Sequence, residues 1–320
     1  MRHLQILMMP GQIFMLALQA APASAWAASA QAIAVQAVPG ASGFATKIAA
    51  LERTQGGRLG VAVQATDGTP LFSYRANERF AICSTFKALL VAAVLARVDA
   101  KSVTLERAIS YKAGDLLEYA PITREHLKAG HMTVAELSAA AIQYSDNTAA
   151  NLLLDVIGGP KALTAWLRSI GDNSTRLDRN EPSLNANLPD DARDTSTPEA
   201  MTATLQKLLV GEHLSPASRE QLKLWMIGNT TGASKLRAGL DPFWIVGDKT
   251  GSGANGASND VGIVWPRGMA PFIISVFYTG STAPAESKNG VIAEVARITR
   301  EMLENGQQKV PNKVTTRTEK

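Results

Sequence analysis

The chain has 320 residues, 46% of them apolar, enough to bury the core of one large domain or of two interleaved ones. Its net charge of +4 sits at the two ends, on Arg2 and on Lys309, Lys313, Arg317 and Lys320 against Glu319. The body is electrically balanced, which excludes a basic field built to hold nucleic acid. A single cysteine excludes an intrachain disulfide, and His126, His131 and His213 stand in no ligand spacing, so neither a metal nor another cofactor is expected.

Residues 1–30 read as a signal peptide. Arg2 is followed by the apolar run Ile13 to Leu18 and then by Ala23-Ser24-Ala25 and Ala28-Ser29-Ala30, so cleavage falls after Ala25 or after Ala30. Pro10, Gly11 and Gln12 interrupt the run too early for a membrane span, which takes about 20 apolar residues. The mature protein is therefore expected to be periplasmic or secreted, with no membrane attachment. Residues 31–43 read as a leader and Phe44 to Leu51 as a helix. Two strands follow, Leu59 to Ala65 and Leu71 to Arg75, turned by Asp67-Gly68. From Ser84 to Asp99 the pattern is apolar all round, which is the signature of a helix buried on every side. Helical stretches continue over Thr133–Gln143, Asn147–Val156, Pro160–Ile170 and Thr197–Leu209. Strand character returns at Phe243–Lys249, Val261–Trp265 and Phe272–Thr279, before a last helix from Pro284 to Glu304. Strands at both ends with helices between them place the two ends in one sheet. The expected organisation is an α/β chain of α+β type. Residues 31–80 plus 228–305 form a sheet domain, 81–227 an all-helical domain, and 306–320 a disordered tail.

Four places carry chemistry. Ser84-Thr85-Phe86-Lys87 puts a hydroxyl at the start of the buried helix and an amine three residues on, on the same face. A neutral amine there can take the serine proton, and the helix N-terminus offers N–H groups to an oxyanion. The bland alternative is an N-cap serine followed by a surface lysine. Cys83 beside them reads as a small packing residue. Ser145-Asp146-Asn147 lies in a polar turn between helices, and Lys249-Thr250-Gly251 at the end of a late strand. Arg179 to Asp194 is a long segment with little regular pattern, and such a loop inside a compact domain is usually functional. In it Glu181 and Asn185 stand four residues apart, so one helical turn points a carboxylate and an amide at the same water.

S-x-x-K, S-D-N and K-T-G, in that order, are the set shared by penicillin-binding proteins and class A β-lactamases. From Phe44 to Glu304 the chain resembles the class A serine β-lactamases, including the E-P-x-L-N run at Glu181 to Asn185. The resemblance implies an antiparallel sheet of about five strands flanked by helices, with an inserted helical domain and the site in the cleft between them. It implies Tyr119 as an aromatic wall, Arg179 and Asp194 as the ion pair closing an omega loop over 179–194, and a Glu181-Pro182 bond of cis form. It also implies an acyl-enzyme on Ser84, with Lys87 or Glu181 as the acylation base. Ser84 and Ser252 would supply oxyanion N–H groups, Ser145 would relay a proton, and Glu181 with Asn185 would drive deacylation. Asn147 would meet the substrate amide, and Lys249, Thr250, Gly251 and Ser252 would hold the substrate carboxylate. Where many members place an arginine for that carboxylate this chain has Ser258 and Asn289; some relatives supply the cation instead from two residues ahead of an arginine that here is Arg237, and by that resemblance Lys235 is expected to supply it, its alternative being a solvated lysine. The expected partners are small β-lactams and their inhibitors, acting on a monomer. A D-Ala-D-Ala peptidase and a penicillin-sensing acylated binding module are the competing readings. Ser252 and the unpaired Cys83 resemble the broad cephalosporin-hydrolysing members.

Overall fold

The computed structural model describes residues 41–307. The expected signal peptide and the tail beyond Gln307 lie outside the described residues.

The chain opens with helix α1 (Ala41–Gln55) and the hairpin β1 (Arg58–Ala65) and β2 (Pro70–Tyr74). The hairpin turns where Asp-Gly was expected to turn it. Gly68 has φ 94°, a left-handed conformation that costs glycine nothing, and Asp67 Oδ1 accepts the Thr69 N–H at 2.8 Å. A short β3 (Phe80–Ala81) leads through a 3-10 turn at Cys83–Thr85 into α2 (Phe86–Asp99). Then come β4 (Ala108–Ser110), α3 (Pro121–Glu125), β5 (His131–Thr133), α4 (Val134–Gln143), α5 (Asn147–Ile157) and α6 (Pro160–Ser169). After the loop at 179–194 follow β6 (Thr195–Ser196), α7 (Pro198–Leu209), α8 (Pro216–Ile227) and α9 (Leu236–Gly239). The chain closes with β7 (Ile245–Ser252), β8 (Ser258–Trp265), β9 (Phe272–Thr279) and α10 (Ala285–Gln307).

The main sheet has five strands in the order β2-β1-β9-β8-β7, and every neighbouring pair is antiparallel. Its centre joins the two ends of the chain, with Arg58 opposite Thr279 and Ala65 opposite Phe272. The period of two in a strand sends alternate side chains to opposite faces. Thus Ile274, Val276 and Tyr278 enter a core with Phe44 of α1 and Val291, Ile292 and Val295 of α10. Ile273 and Phe277 enter the second core, which α2 dominates. That helix is buried from Phe86 to Leu95 and packs against α4, α5 and α8. Each of its buried leucines and valines from Leu89 to Leu95 contributes about 1.5–3 kcal/mol of burial, so the turn that carries Ser84 leads into a firmly held helix.

Three features depart from the sequence reading. Helix α8 was not expected. Its signals are a Ser215 N-cap whose hydroxyl accepts the Ser218 N–H at 3.2 Å and a proline in its first turn, but its polar surface hides the period. The stretch 81–227, expected to be all-helical, also contains the strand pair β4–β5 and the β6 partner of β3. Finally, α10 runs through Gly306 to Gln307, past the expected start of the tail.

Candidate active site

The position of Ser84 is set by an unusual backbone. Cys83 is buried with φ 45°, a left-handed conformation that costs a residue with a side chain of order 1–3 kcal/mol. Thr85 Oγ1 closes the turn by donating to the Ile82 carbonyl at 2.7 Å. Gly251 makes the turn's environment possible, because a Cβ there would lie 2.9 Å from the Ile82 carbonyl oxygen and 3.2 Å from Cys83. The glycine therefore lets β7 press directly against the turn that carries Ser84. Burial pushes the Cys83 thiol up to about 12, so it is an inert packing group rather than a second nucleophile.

Ser84 Oγ accepts from Lys87 Nζ at 3.0 Å and donates to Glu181 Oε1 at 3.3 Å. Lys87 is fully buried, which excludes the surface-lysine alternative. Its Nζ also reaches the Ser145 carbonyl at 2.8 Å, Asn147 Oδ1 at 2.6 Å and Glu181 Oε1 at 3.0 Å. Burial pulls the Lys87 ammonium below the ordinary lysine range, and the Glu181 carboxylate partly offsets that. Two groups able to take the serine proton thus lie in hydrogen-bonding reach of it.

The S-D-N turn works through its middle residue. Asp146 is buried; its Oδ1 caps α5 by accepting the Ala149 N–H at 2.9 Å, and its Oδ2 holds α3 through the Ile122 and Thr123 N–H groups, both at 2.9 Å. Ser145, with φ 59°, and Asn147 flank this anchor and face Lys87. Across the cleft, Lys249 Nζ donates to Ser145 Oγ at 3.1 Å. The K-T-G segment lies at the end of a late strand, as expected: it closes β7, which runs one residue further to Ser252 opposite Ser258. Lys249 is buried, and burial together with the Lys87 charge holds its ammonium well below the usual range. As the outer strand of the sheet, β7 directs alternate N–H and C=O groups away from β8 and towards the cleft.

The long loop brings a carboxylate to the serine. The Glu181-Pro182 peptide is cis. Asn185 Nδ2 donates to Glu181 Oε2 at 2.6 Å, and Asn185 Oδ1 is buried without a hydrogen-bond partner. At the neck, Arg179 Nε meets Asp194 Oδ2 at 2.5 Å, while Asp194 Oδ1 accepts the N–H groups of Asp178 and Arg179 at 2.7 and 3.0 Å. One residue the sequence reading missed completes the arrangement. Asn151 accepts the Glu181 N–H at 3.0 Å and donates to the Glu181 carbonyl at 3.0 Å, gripping its backbone from both sides. Its spacing of four from Asn147 on α5 was the available signal.

Lys235 is only 3% exposed, so the solvated alternative fails. Its Nζ donates to the carbonyls of Gly251 and Asn259, each at 3.1 Å, and burial lowers its affinity for a proton against the opposing charge of Asp260. Ser258 and Asn289 bond to each other at 3.3 Å. Thr231, which was not expected, meets Thr250 hydroxyl to hydroxyl at 2.5 Å. A cleft of about 360 Å³ is lined by Ser84, Ser145, Asn147, Asn185, Lys235 and Thr250 to Ser252, among others. Tyr119, 52% exposed, stands at its rim. Larger hollows of about 500 and 560 Å³ lie elsewhere and are lined by none of the chemistry-bearing residues above.

A serine on the turn that opens a buried helix, a lysine and a glutamate within reach of its proton, and a carboxamide on the same glutamate define a serine hydrolase equipped for both formation and hydrolysis of an ester. Residues 43–303 match the family described as the beta-lactamase enzyme family. Beta-lactamase CTX-M-8 of Citrobacter amalonaticus is 50% identical over 79% of this chain and 86% of its own length. Beta-lactamase OXY-2 of Klebsiella oxytoca is 47% identical over 80% and 88%. The solved structure of the last common ancestor of Gram-negative bacteria beta-lactamase class A is 57% identical, with a TM-score of 0.80 over 81% of this chain and 99% of that one. The chain belongs to the beta-lactamase enzyme family, and its fold is that of class A.

Proposed function

We propose that the protein hydrolyses the amide bond of penicillins and cephalosporins through an acyl-enzyme on Ser84, and so confers resistance to them. Ser84 Oγ attacks the lactam carbonyl while its proton passes to Lys87, or through a water to Glu181. The N–H groups of Ser84 and Ser252 receive the oxyanion. The ring C–N bond breaks as Ser145 Oγ passes a proton to the ring nitrogen and recovers one from Lys87. Glu181 then takes a proton from a water oriented by Asn185, the water attacks the ester, and Ser84 leaves with a proton returned to it. Lys249, Lys235, Thr250 and Ser252 hold the substrate carboxylate, Asn147 its side-chain amide, and Tyr119 the side chain itself. Arg179 and Asp194 keep the loop closed. The active form is an exported monomer in the periplasm or medium, divided into the sheet and helical domains, with the cleft where they meet.

The observation that carries this reading is Glu181 Oε1, 3.3 Å from Ser84 Oγ and 3.0 Å from Lys87 Nζ, with Asn185 on its other oxygen. A peptidase or a sensor that stays acylated has no need of such a group. Catalytic amounts of protein should rapidly destroy the absorbance of a chromogenic cephalosporin. Glu181→Ala should accumulate a covalent adduct on Ser84, visible as added mass with benzylpenicillin. Parental turnover by that variant would overturn the role of Glu181. One burst without turnover by the parent would point to the sensor.

A further inference from the structure

We propose that Asn187 and Asn255 are positioning residues for the hydrolytic half of the reaction, a reciprocal amide clasp that fixes Asn185 against the turn following the substrate-binding strand. The inference rests on the acyl-enzyme reading above.

Within the loop Asn185 is held only by its own turn, its side-chain amide donating to Glu181 Oε2 at 2.6 Å and to the Pro182 carbonyl at 3.2 Å. The 3-10 turn at Ser183–Ala186 is short, and its one buried apolar residue is Leu184. Beyond it the loop is half-buried or exposed, with Leu188 at 51%. Behind the loop lies the hollow of about 500 Å³, lined among others by Arg58, Phe80 and Leu188, so packing does not fix this segment from the rear.

Hydrogen bonds do. Asn187 Nδ2 donates to the Ala254 carbonyl at 2.9 Å and to Thr279 Oγ1 at 2.7 Å. In return Asn255 Nδ2 donates to the carbonyls of Ala186 at 3.1 Å and Asn187 at 2.9 Å. Between them the Ala254 N–H donates to the Asn185 carbonyl at 2.9 Å. The two segments meet so closely that a Cβ on Gly253 would lie 2.8 Å from that same carbonyl oxygen. Asn187 and Asn255 both hold left-handed backbones, φ 43° and 49°, which asparagine tolerates better than most residues. Each therefore shapes its own turn and bridges to the other.

The consequence follows from what the clasp does not touch. Ser84 and Lys87 stand on the α2 side of the cleft, and the backbone of Glu181 is gripped separately by Asn151. Ser252 is held by its own pairing with Ser258 of β8, so losing the clasp loosens the turn of Asn185 while leaving the acylation groups in place. The turn that receives the clasp follows Ser252 directly, so the frame that seats the substrate also seats the amide on which the hydrolytic water depends.

Asn187→Gly and Asn255→Gly keep the left-handed turns and remove the amides. Single-turnover stopped flow with a chromogenic cephalosporin, followed by intact mass of the quenched protein, separates the two steps. In each variant deacylation should slow roughly tenfold, the rate equivalent of about 1.4 kcal/mol, with the Ser84 adduct accumulating and acylation within about twofold of the parent. A merely structural role would lower the melting temperature and leave this partition unchanged. Equal losses in both steps, or parental deacylation in a folded variant, would overturn the proposal. Asn255→Gly lies outside the long loop and decides the matter alone if Asn187→Gly does not fold. Failure of the parent to form any Ser84 adduct would instead remove the underlying hydrolase reading.

Discussion

Truncating Asp194 tests whether the neck of the long loop is held by charge, by backbone geometry, or by both. Asp194 is buried and accepts two backbone N–H groups as well as Arg179, whose side chain is only 20% exposed. Removing one partner of a buried pair costs about 3–5 kcal/mol. Arg179 keeps some solvent and has Asp191 at 3.7 Å, which places the loss at the lower end, about 3 kcal/mol. Asp194 also has φ 56°, where a residue with a Cβ, aspartate and alanine alike, is disfavoured against glycine by about 1–2 kcal/mol. Asp194→Ala should therefore lose about 3 kcal/mol, a large part of the 5–15 kcal/mol typical of a folded protein. Asp194→Gly, which escapes the backbone penalty, should lose about 1 kcal/mol less. Urea unfolding at constant m-value measures both, and amide exchange over 180–192 should quicken in each variant. A loss below about 1 kcal/mol in both would refute the ionic argument, and a glycine variant weaker than the alanine one would refute the backbone argument.

Lys235→Ala should raise KM for penicillins roughly tenfold, equivalent to about 1.4 kcal/mol of binding; a parental KM, with Lys249→Ala severely impaired in the same assay, would show that one cation suffices. Lys249→Met should abolish efficient turnover and change the pH dependence of stability. Burial and the Lys87 charge depress the folded Lys249 below its unfolded value of about 10.4, so the unfolded chain binds the extra proton and stability rises with pH across that interval. Urea midpoints of the parent should accordingly gain on those of the methionine variant between about pH 7 and pH 10, and parallel curves would count against a depressed lysine. Gly239→Ala should destabilise by about 1–3 kcal/mol with kcat and KM unchanged, because its Cβ would lie 1.8 Å from the Ala293 carbonyl oxygen of α10; an unaltered melting temperature would show that α9 yields freely.

The sequence disclosed what depends on short range. The apolar run after Ser84 announced a buried helix, and the three motifs announced their residues because each is read within four positions. What remained hidden depends on partners far along the chain. Lys249-Thr250-Gly251 was legible as the end of a strand, but not the partner β8, whose ladder carries that strand on to Ser252. Lys235 was legible as a cation but not as one buried against the Gly251 and Asn259 carbonyls. The grip of Asn151 on Glu181 and the clasp of Asn187 with Asn255 join separate segments, and no local pattern announces such pairs.

The pairing of β1 with β9 bears on when the protein becomes itself. Arg58 must find Thr279 and Ala65 must find Phe272, so the middle of the sheet joins the earliest strand to the last. Closing so long a span costs entropy before any contact repays it, and topologies of this kind fold slowly. A nascent chain that stops short of β9 can build helices and the first hairpin but lacks the strand on which both cores rest. It therefore stays open until synthesis is complete. Such late closure acts as a timer: a chain cut before β9 is still a thread, and only the last strand lets both cores shut.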